Sequence, residues 1–328
     1  MSSQLITLFT TAVKFGTVIM FGAMGEILTQ KSGSLNLGVP GIMYLGGIFG
    51  LVGAFFYELG NTNPIPFVGL LIALVCALAA SVLAGLLFSF LTISLRANQN
   101  VTGLTLTIFA GGLANFLGGS LNKLAGGVGQ ISVAVTSRAY RATLPFATGW
   151  GTVYRLFFNY GFMPYLAILI AIFLSWFLNR TCIGLNLRAV GENPATADAA
   201  GISVPKYRYL SACSGAAICG LGGLYYVMDY INGTWANDGN IEALGWLAVA
   251  LVIFATWKPV RTIWGAYLFG ALFWLYNYIP GLSRSAQELF KMLPYVVTMV
   301  VLITVSLQHR RENQPPASLG LPYFREER

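Results

Sequence analysis

Side chains that could catalyse a reaction or hold a metal ion are scarce in this sequence. Only 9% of the 328 residues are charged, and the one histidine, His309, lies close to the C-terminus. The spacing of the four cysteines is not that of a metal site, and we interpret them as small buried apolar residues: Cys76, Cys182, Cys213 and Cys219. No lysine follows a glycine, so the phosphate-binding pattern Gly-x-x-x-x-Gly-Lys-Ser/Thr is absent from the sequence. We therefore expect a chain with no catalytic residue, no metal and no cofactor of its own.

The chemistry that remains is polar recognition, and it is concentrated in the stretch from Arg188 to Gly201. Asn193 is a candidate N-cap, Pro194 stands at the first helical position, and Gly201 is a candidate left-handed stop. The helix between them is so short that it needs a surface to pack against. Arg188 and Glu192 could each form charge-assisted hydrogen bonds with a partner. Two interpretations stay open: a solvated connector, or a docking helix for a soluble partner.

The elements that must position this stretch are apolar helices. The sequence is 56% hydrophobic with a mean hydropathy of +0.69, which lies far outside the usage of soluble globular proteins. The net charge is +8, and the basic residues are scattered between apolar runs. This distribution favours a role in orienting the chain in a membrane over binding of nucleic acid. Runs of about 20 apolar residues can cross a hydrocarbon core about 30 Å thick. Nine occur, predicting an all-α polytopic membrane protein with about nine transmembrane helices: Leu5–Leu28, Gly41–Tyr57, Phe67–Leu95, Val101–Gly119, Pro164–Leu178, Tyr207–Met228, Ile241–Trp257, Thr262–Ile279 and Met292–Leu307.

Lysine and arginine predict the orientation, because cytoplasmic loops carry an excess of them. If the stretch around Arg188 and the C-terminal tail face the cytoplasm, twelve of these residues lie on that side and six on the other. This arrangement gives a transmembrane domain at 1–308, which includes a cytoplasmic segment at 180–206 and an extracytoplasmic loop at 120–163. Residues 309–328 form a cytoplasmic tail, and with nine spans the N-terminus lies outside.

Two segments rich in glycine and asparagine read as broken membrane segments. Ser32–Gly41 follows the first apolar run and Asn232–Glu242 follows the sixth. Irregular backbone at membrane depth is tolerated only where it is buried or lines a cavity. The two segments lie on opposite faces in the predicted orientation, which indicates a possible inverted repeat.

Polar groups near membrane depth are few. Glu26 could pair with Lys31, or it could sit in the bundle interior, where an ionisable group is by default a functional hypothesis. The amides and hydroxyls along the fourth apolar run could join helices by hydrogen bonds or could line a polar pathway. The residues that we assign to a pathway are Glu26, Asn36, Asn100, Thr102, Thr105 and Asn115.

Several of these motifs together resemble one family. Gly25-Glu26 followed by Ser32-Gly-Ser-Leu-Asn-Leu-Gly-Val-Pro-Gly41 is similar to the pattern GE…SGxxNxGxEG, with Pro40 where relatives often have glutamate. This pattern is typical of nucleoside and simple-sugar permeases, the membrane subunits of binding-protein-dependent ABC importers in the ribose and branched-chain amino acid permease superfamily. Further stretches fit the same family: 97–104, 188–194 with 199–202, 293–295 and 316–325.

The resemblance implies a set of partners in the bacterial plasma membrane. These are an ABC ATPase subunit, a second permease subunit that is identical or homologous, an extracytoplasmic substrate-binding lipoprotein, and membrane lipid; nucleic acid is not expected. It also implies that Mg-ATP binds to the ATPase and not to this chain. Segment 180–206, which we call the coupling segment, would contact the ATPase through Arg188, Gly191, Glu192, Asn193, Pro194, Asp198 and Gly201.

The same resemblance implies a substrate class. A nucleoside is the expected substrate, a simple sugar is the second choice, and a branched-chain amino acid is a further alternative within the superfamily. An ion-coupled secondary transporter or a channel is the alternative from a different class. A lipid-modifying membrane enzyme is disfavoured, because the sequence lacks catalytic groups.

Overall fold

The computed structural model describes residues 2–124, 132–143, 151–236, 239–279, 281–308 and 313–324, which form an all-α bundle. The one contact of the extended type among them is an isolated antiparallel bridge between Ser132 and Thr234. The helices, numbered in chain order, are α1 Ser2–Gln30, α2 Val39–Gly60, α3 Pro66–Ser89, α4 Gln99–Leu124, α5 Ala134–Tyr140, α6 Gly151–Phe157, α7 Phe162–Arg180, α8 Cys182–Glu192, α9 Pro194–Ala199, α10 Val204–Tyr225, α11 Asn240–Phe254, α12 Pro259–Trp274, α13 Arg284–Lys291 and α14 Leu293–Gln308. The predicted all-α fold class is confirmed.

Seven helical stretches in the described residues are long and apolar enough to cross a membrane. They are Gln4–Gln30, Val39–Gly60, Pro66–Ser94, Gln99–Ser120, Phe162–Arg180, Val204–Tyr230 and Arg284–Leu307. Two of them end in a π-helical turn, Phe90–Ser94 after α3 and Tyr226–Tyr230 after α10. Such turns are rare inside regular helices and often mark functional regions. Each of the first six predicted spans, and the last one, coincides with one of these stretches.

The predicted seventh and eighth spans are shorter than a full crossing. Where the sequence predicts Ile241–Trp257 and Thr262–Ile279, the structure has α11 with 15 residues and α12 with 16. At 1.5 Å per residue these helices cover about 22–24 Å, less than the hydrocarbon core of about 30 Å. Both pack into the bundle, since α11 contacts α1 and α2, and α12 contacts α1. The predicted count of nine transmembrane helices is therefore not confirmed.

Small residues let α1 and α10 pack closely along the centre of the bundle. A Cβ atom on Gly25 would collide with the carbonyl oxygen of Gly215. One turn away, the Cys219 thiol donates a hydrogen bond to the carbonyl oxygen of Gly22 at 3.4 Å. The residue numbers fall in α1 as they rise in α10, so the two helices are antiparallel. Close backbone approach at glycine is a common basis of helix association in membranes.

The helix pairings agree with the predicted inverted repeat. α1 packs on α10, α11 and α12, whereas α10 packs on α1, α2 and α3. In addition, α2 packs on α4 and α11 packs on α14. Exchanging the set α1, α2, α3, α4 with the set α10, α11, α12, α14 therefore reproduces these pairings. Because α1 and α10 are antiparallel, the two halves are inverted relative to each other.

The helices that follow the two broken segments meet inside the bundle. Residues 31–38 run without regular helix between α1 and α2, and we call them the α1–α2 turn. In the second broken segment, residues 231–236 are also irregular, and 237–238 lie outside the described residues. A Cβ atom on Gly245, in the second turn of α11, would lie 2.5 Å from the Cα atom of Pro40 at the start of α2. Proline thus packs where the related pattern has glutamate.

Close glycine packing predicts a large difference between two similar substitutions. A Cβ atom on Gly223 of α10 would collide with the Met43 carbonyl oxygen and lie 3.0 Å from the Gly47 amide nitrogen, both in the backbone of α2. Gly112 of α4 has nothing within 4 Å of such an atom. We expect Gly223→Ala to lower the free energy of unfolding by about 1–3 kcal/mol, the usual cost of overpacking. Gly112→Ala should be neutral or slightly stabilising, because alanine favours a helix.

Thermal unfolding of the purified variants in detergent measures this difference. Equal melting temperatures for the two variants would show that α2 and α10 do not pack as closely as the structure has them.

Candidate coupling and translocation site

The short helix predicted between Asn193 and Gly201 is present. The Asn193 side chain accepts a hydrogen bond from the Thr196 backbone N–H at 3.0 Å, and Pro194 opens α9. Gly201 has φ +84°, so it adopts the left-handed conformation expected of a helix stop. The sequence did not predict α8, an 11-residue helix that carries Arg188 and ends where α9 begins. Asn193 therefore stands at the corner between two consecutive helices.

Gly191, near the end of α8, packs directly on the α1–α2 turn. A Cβ atom on Gly191 would collide with the carbonyl oxygen of Lys31 and would lie 3.2 Å from the backbone nitrogen of Gly33. Gly33 itself has φ +87°. The coupling segment thus touches the backbone of the turn without an intervening side chain. A displacement of α8 must displace this turn as well, because backbone in van der Waals contact cannot yield the way a flexible side chain can.

The α1–α2 turn is largely buried, and side chains of the bundle accept hydrogen bonds from several of its backbone amides. The Asn36 side-chain oxygen accepts from the Gly38 backbone N–H at 2.8 Å, just before α2 begins. The Gln99 side-chain oxygen accepts from the Leu35 backbone N–H at 2.7 Å. Asn36 is 2% exposed. Its observed hydrogen bond holds the turn in shape, and its assignment to the pathway stays a prediction.

Glu26 lies in the bundle interior at 1% exposure, and the structure does not show the alternative pairing with Lys31. One carboxylate oxygen accepts from the Gln30 side-chain amide at 2.7 Å and from the Asn36 backbone N–H at 3.1 Å. The side-chain oxygen of Gln30 in turn accepts from the indole N–H of Trp257. The network joins α1, the α1–α2 turn and the segment between α11 and α12.

These hydrogen bonds predict how Glu26 tolerates substitution. Glu26→Ala removes the acceptor of the buried Asn36 N–H, which should cost about 1–3 kcal/mol of unfolding free energy. Glu26→Gln keeps the shape and one acceptor oxygen, so it should cost less. Glu26 could support the α1–α2 turn or take part in transport. Unfolding in detergent measures the first role, and uptake in proteoliposomes measures the second. If Glu26→Gln is stable but loses uptake, the charge serves transport; if both variants are as stable as the native chain, the network does not support the turn.

The four pathway candidates on α4 differ in their exposure. Thr102 is 9% exposed and donates to the Asn98 carbonyl oxygen at 2.8 Å, within its own helix. Thr102 and Thr105 line a largely apolar cavity of about 260 Å³ between α3 and α4, and Thr105 is otherwise exposed, as is Asn100. Asn115 is half-buried, and its side-chain oxygen has no hydrogen-bond partner in the described part of the chain. The six candidates therefore differ in burial: Glu26, Asn36 and Thr102 are buried, Asn115 is half-buried, and Asn100 and Thr105 are exposed.

A buried acid at the other end of the bundle escaped the sequence analysis. Asp229 lies in the π-helical turn after α10 at 4% exposure. Its carboxylate oxygen Oδ2 has no hydrogen-bond partner among the described residues, and a Cβ atom on Gly161 would lie 2.8 Å from it. The predicted sixth span ends at Met228 and so excluded this acid by one residue. A carboxylate at the end of a long apolar run was the signal that could have identified it.

The tail folds back on the coupling segment and on the α1–α2 turn together. Ser318 donates two hydrogen bonds to the Gly191 carbonyl oxygen, from its backbone N–H at 3.0 Å and from its hydroxyl at 2.6 Å. The Gly320 backbone N–H donates to the Gly33 carbonyl oxygen at 3.0 Å. The tail thus binds both partners of the Gly191–Gly33 contact.

Two further contacts hold the end of the tail. The Tyr323 hydroxyl donates to a carboxylate oxygen of Asp198 at 2.9 Å, next to the last residue of α9. The guanidinium of Arg96 lies 4.7 Å from the ring centroid of Phe324, a favourable cation–π distance. Asp198, which was assigned to partner contact, is therefore engaged by this chain's own tail.

Comparison with known proteins assigns the family. Residues 7–302 match the family described as the permease component of branched-chain amino acid transport systems. A provisionally assigned glucose ABC transporter permease protein of Haloferax volcanii is 35% identical over 266 residues, 81% of this chain and 75% of its own. The guanosine ABC transporter permease protein of Bacillus subtilis is 27% identical over 336 residues, 99% of each chain. The nucleoside ABC transporter permease protein of Lactococcus lactis subsp. cremoris is 30% identical over 297 residues, 88% of each chain.

No solved structure matches the chain at the level of significance that these relatives reach. The family match covers nearly the whole sequence, and the described residues contain seven helices long and apolar enough to span a membrane. The chain is a multi-pass plasma membrane protein that belongs to the family of permease components of branched-chain amino acid transport systems.

Proposed function

We propose that this chain is the membrane-spanning permease subunit of an ABC importer that carries a nucleoside or a simple sugar. A second permease subunit completes the pathway, a separate ATPase binds Mg-ATP and drives it, and an extracytoplasmic binding lipoprotein delivers the substrate. The observation that carries the proposal is the packing of Gly191 on Lys31 and Gly33. It links the α8–α9 pair, which is exposed on its outer side, to the largely buried α1–α2 turn, as a subunit driven from outside the membrane requires.

The orientation follows from charge. The end of the bundle that carries α8 and α9, which we call the α8 end, holds eight of the fifteen lysines and arginines in the described residues: Lys31, Arg96, Arg180, Arg188, Lys206, Arg208, Lys258 and Arg261. The positive-inside rule places this end in the cytoplasm. The coupling segment then faces the ATPase, and α5 and α6 face the binding lipoprotein.

A nucleoside is the first choice of substrate. The two relatives named for guanosine and nucleoside transport match 99% and 88% of this chain, whereas the relative named for glucose matches 81%. A simple sugar is the second choice, because that relative has the highest of the three identities, 35%.

Reconstitution tests the function and the substrate together. Proteoliposomes that contain this chain, its partner permease, the ATPase and the binding lipoprotein should accumulate labelled nucleoside only when Mg-ATP is supplied on the α8 side. Labelled glucose and leucine serve as parallel substrates. Accumulation of glucose instead would correct the substrate, and uptake driven by an ion gradient without ATP would contradict the importer class.

A further inference from the structure

A basic cavity opens at the α8 end between α7, α8 and the start of α12. Its volume is about 840 Å³, and the tail forms part of its rim. In the described part of the chain, four cationic side chains and one carboxylate, that of Glu192, line the cavity: the cations are Lys31, Arg188, Lys258 and Arg261. The cavity therefore carries a clear excess of positive charge.

The cations of the cavity are not fully satisfied by the chain itself. The Nε atom of Arg188 is buried and has no hydrogen-bond partner among the described residues. Among the described residues, the hydrogen bonds that Lys258 and Arg261 donate go to neutral groups, the side-chain amide of Asn313 at 3.1 Å and the hydroxyl of Thr256. Their charges therefore remain available to an anion.

Lys31 shows the electrostatic cost of this arrangement. Burial lowers the pKa of its ammonium group, the nearby carboxylate of Glu192 opposes that shift, and the positive charges of Arg188 and Lys258 add to it. An anion bound in the cavity would stabilise the charged form of Lys31, since an opposite charge within a few ångströms favours that form.

An apolar strip on α7 leads to the same cavity. Six side chains spaced one helical turn apart line a shallow groove of about 590 Å³: Tyr165, Ile168, Leu169, Ile172, Phe173 and Trp176. Ser175, Leu178 and Asn179, beside and beyond the end of this strip, line the wall of the cavity. From Tyr165 to Trp176 the strip is about 16 Å long at 1.5 Å per residue, which matches half of a hydrocarbon core about 30 Å thick. A charged cavity thus lies at the end of a strip as long as one leaflet.

We propose that this cavity binds the phosphate head group of an anionic phospholipid from the cytoplasmic leaflet, with an acyl chain along the α7 strip. The inference rests on the orientation proposed above. Guanidinium groups match the geometry of phosphate oxygens, and basic pockets between helices on the cytoplasmic side suit anionic head groups. The apolar strip favours lipid over an acidic surface of the ATPase, because a soluble partner has no use for a leaflet-length apolar groove.

Native mass spectrometry of the purified permease–ATPase complex tests the proposal. Phosphatidylglycerol and phosphatidylcholine are titrated in parallel, and the wild type should retain phosphatidylglycerol preferentially. Each basic residue near a membrane surface contributes about 1 kcal/mol of attraction to anionic lipid, so Arg261→Gln should weaken retention about fivefold. Adding Lys258→Gln should raise the loss to about 25-fold. Arg180→Gln is the matched control, since Arg180 ends α7 but does not line the cavity; it should change retention less than twofold.

Three outcomes would overturn the proposal. Equal retention of both lipids, or of phosphatidylglycerol by wild type and double variant, would show that the cavity does not select an anionic lipid. Displacement of phosphatidylglycerol by millimolar inorganic phosphate would identify a site for a free anion. Loss of ATPase binding by the double variant, with lipid retention unchanged, would identify an ATPase docking surface. Uptake by the wild-type complex is measured on the same preparation. If uptake is normal while one of these outcomes is found, the lipid proposal fails and the proposed function stands.

Discussion

Gly191→Val should uncouple the permease from its ATPase and reduce uptake by about tenfold to a hundredfold. The valine Cβ would collide with the Lys31 carbonyl oxygen and lie 3.0 Å from its carbonyl carbon, so either α8 or the α1–α2 turn must shift. Overpacking of this kind typically costs about 1–3 kcal/mol, which corresponds to the stated loss. ATPase binding should persist, because Glu192 and Asn193 stay exposed on the outer side of the segment. The measurement is substrate-stimulated ATP hydrolysis and uptake in proteoliposomes.

Gly201→Ala is the matched control for this variant. A Cβ atom on Gly201 meets nothing within 4 Å, so the cost is confined to the left-handed backbone, about 1–2 kcal/mol for a residue other than glycine. We expect a smaller loss of uptake than for Gly191→Val, because the end of α9 is exposed and can adjust. Normal uptake by Gly191→Val would mean that the coupling segment is only a connector.

Removal of residues 313–328 should likewise abolish most of the coupled uptake while leaving the bundle folded. The deletion removes the two hydrogen bonds from Ser318 to the Gly191 carbonyl oxygen and the one from Gly320 to the Gly33 carbonyl oxygen. Each hydrogen bond contributes about 0.5–1.5 kcal/mol, so the deletion removes a large part of the free energy that stabilises the Gly191–Gly33 contact.

Tyr323→Phe provides a graded control for the deletion. It removes only the hydroxyl that donates to Asp198, on a half-exposed side chain, so uptake should fall by no more than about tenfold. Melting temperature and ATPase binding are measured beside uptake. A deleted chain that transports normally would show that the tail does not support coupling, and one that no longer assembles would show that the tail serves stability instead.

The sequence predicted those parts of the site that local signals encode. An N-cap asparagine, a proline at the first helical position and a glycine stop specify α9 within nine residues, and each was found in its expected conformation. The contact between Gly191 and Lys31 joins backbone atoms 160 residues apart, which no local pattern reports. The same applies to the tail, whose hydrogen bonds to Gly191 and Gly33 come largely from backbone and hydroxyl groups.

The length of the apolar runs predicted most of the spans but not where each helix ends. The two predicted runs included residues 255–257 and 275–279, which the structure places beyond the ends of α11 and α12. The direction in which a polar side chain points was harder to predict. Asn36 is buried while Asn100 is exposed, although both are asparagines beside apolar runs. Which way a polar side chain points depends on helix rotation, and composition carries no information about that.

Site-specific photocross-linking of the assembled complex tests the coupling role of α9 most directly. A photoreactive amino acid at the exposed Ala195 of α9 is compared with one at the exposed Arg138 of α5, at the opposite end of the bundle. We predict a cross-link to the ATPase from position 195 and none from position 138. A cross-link to the ATPase from position 138, or none from position 195 in a complex that transports, would contradict both the orientation and the coupling role of this segment.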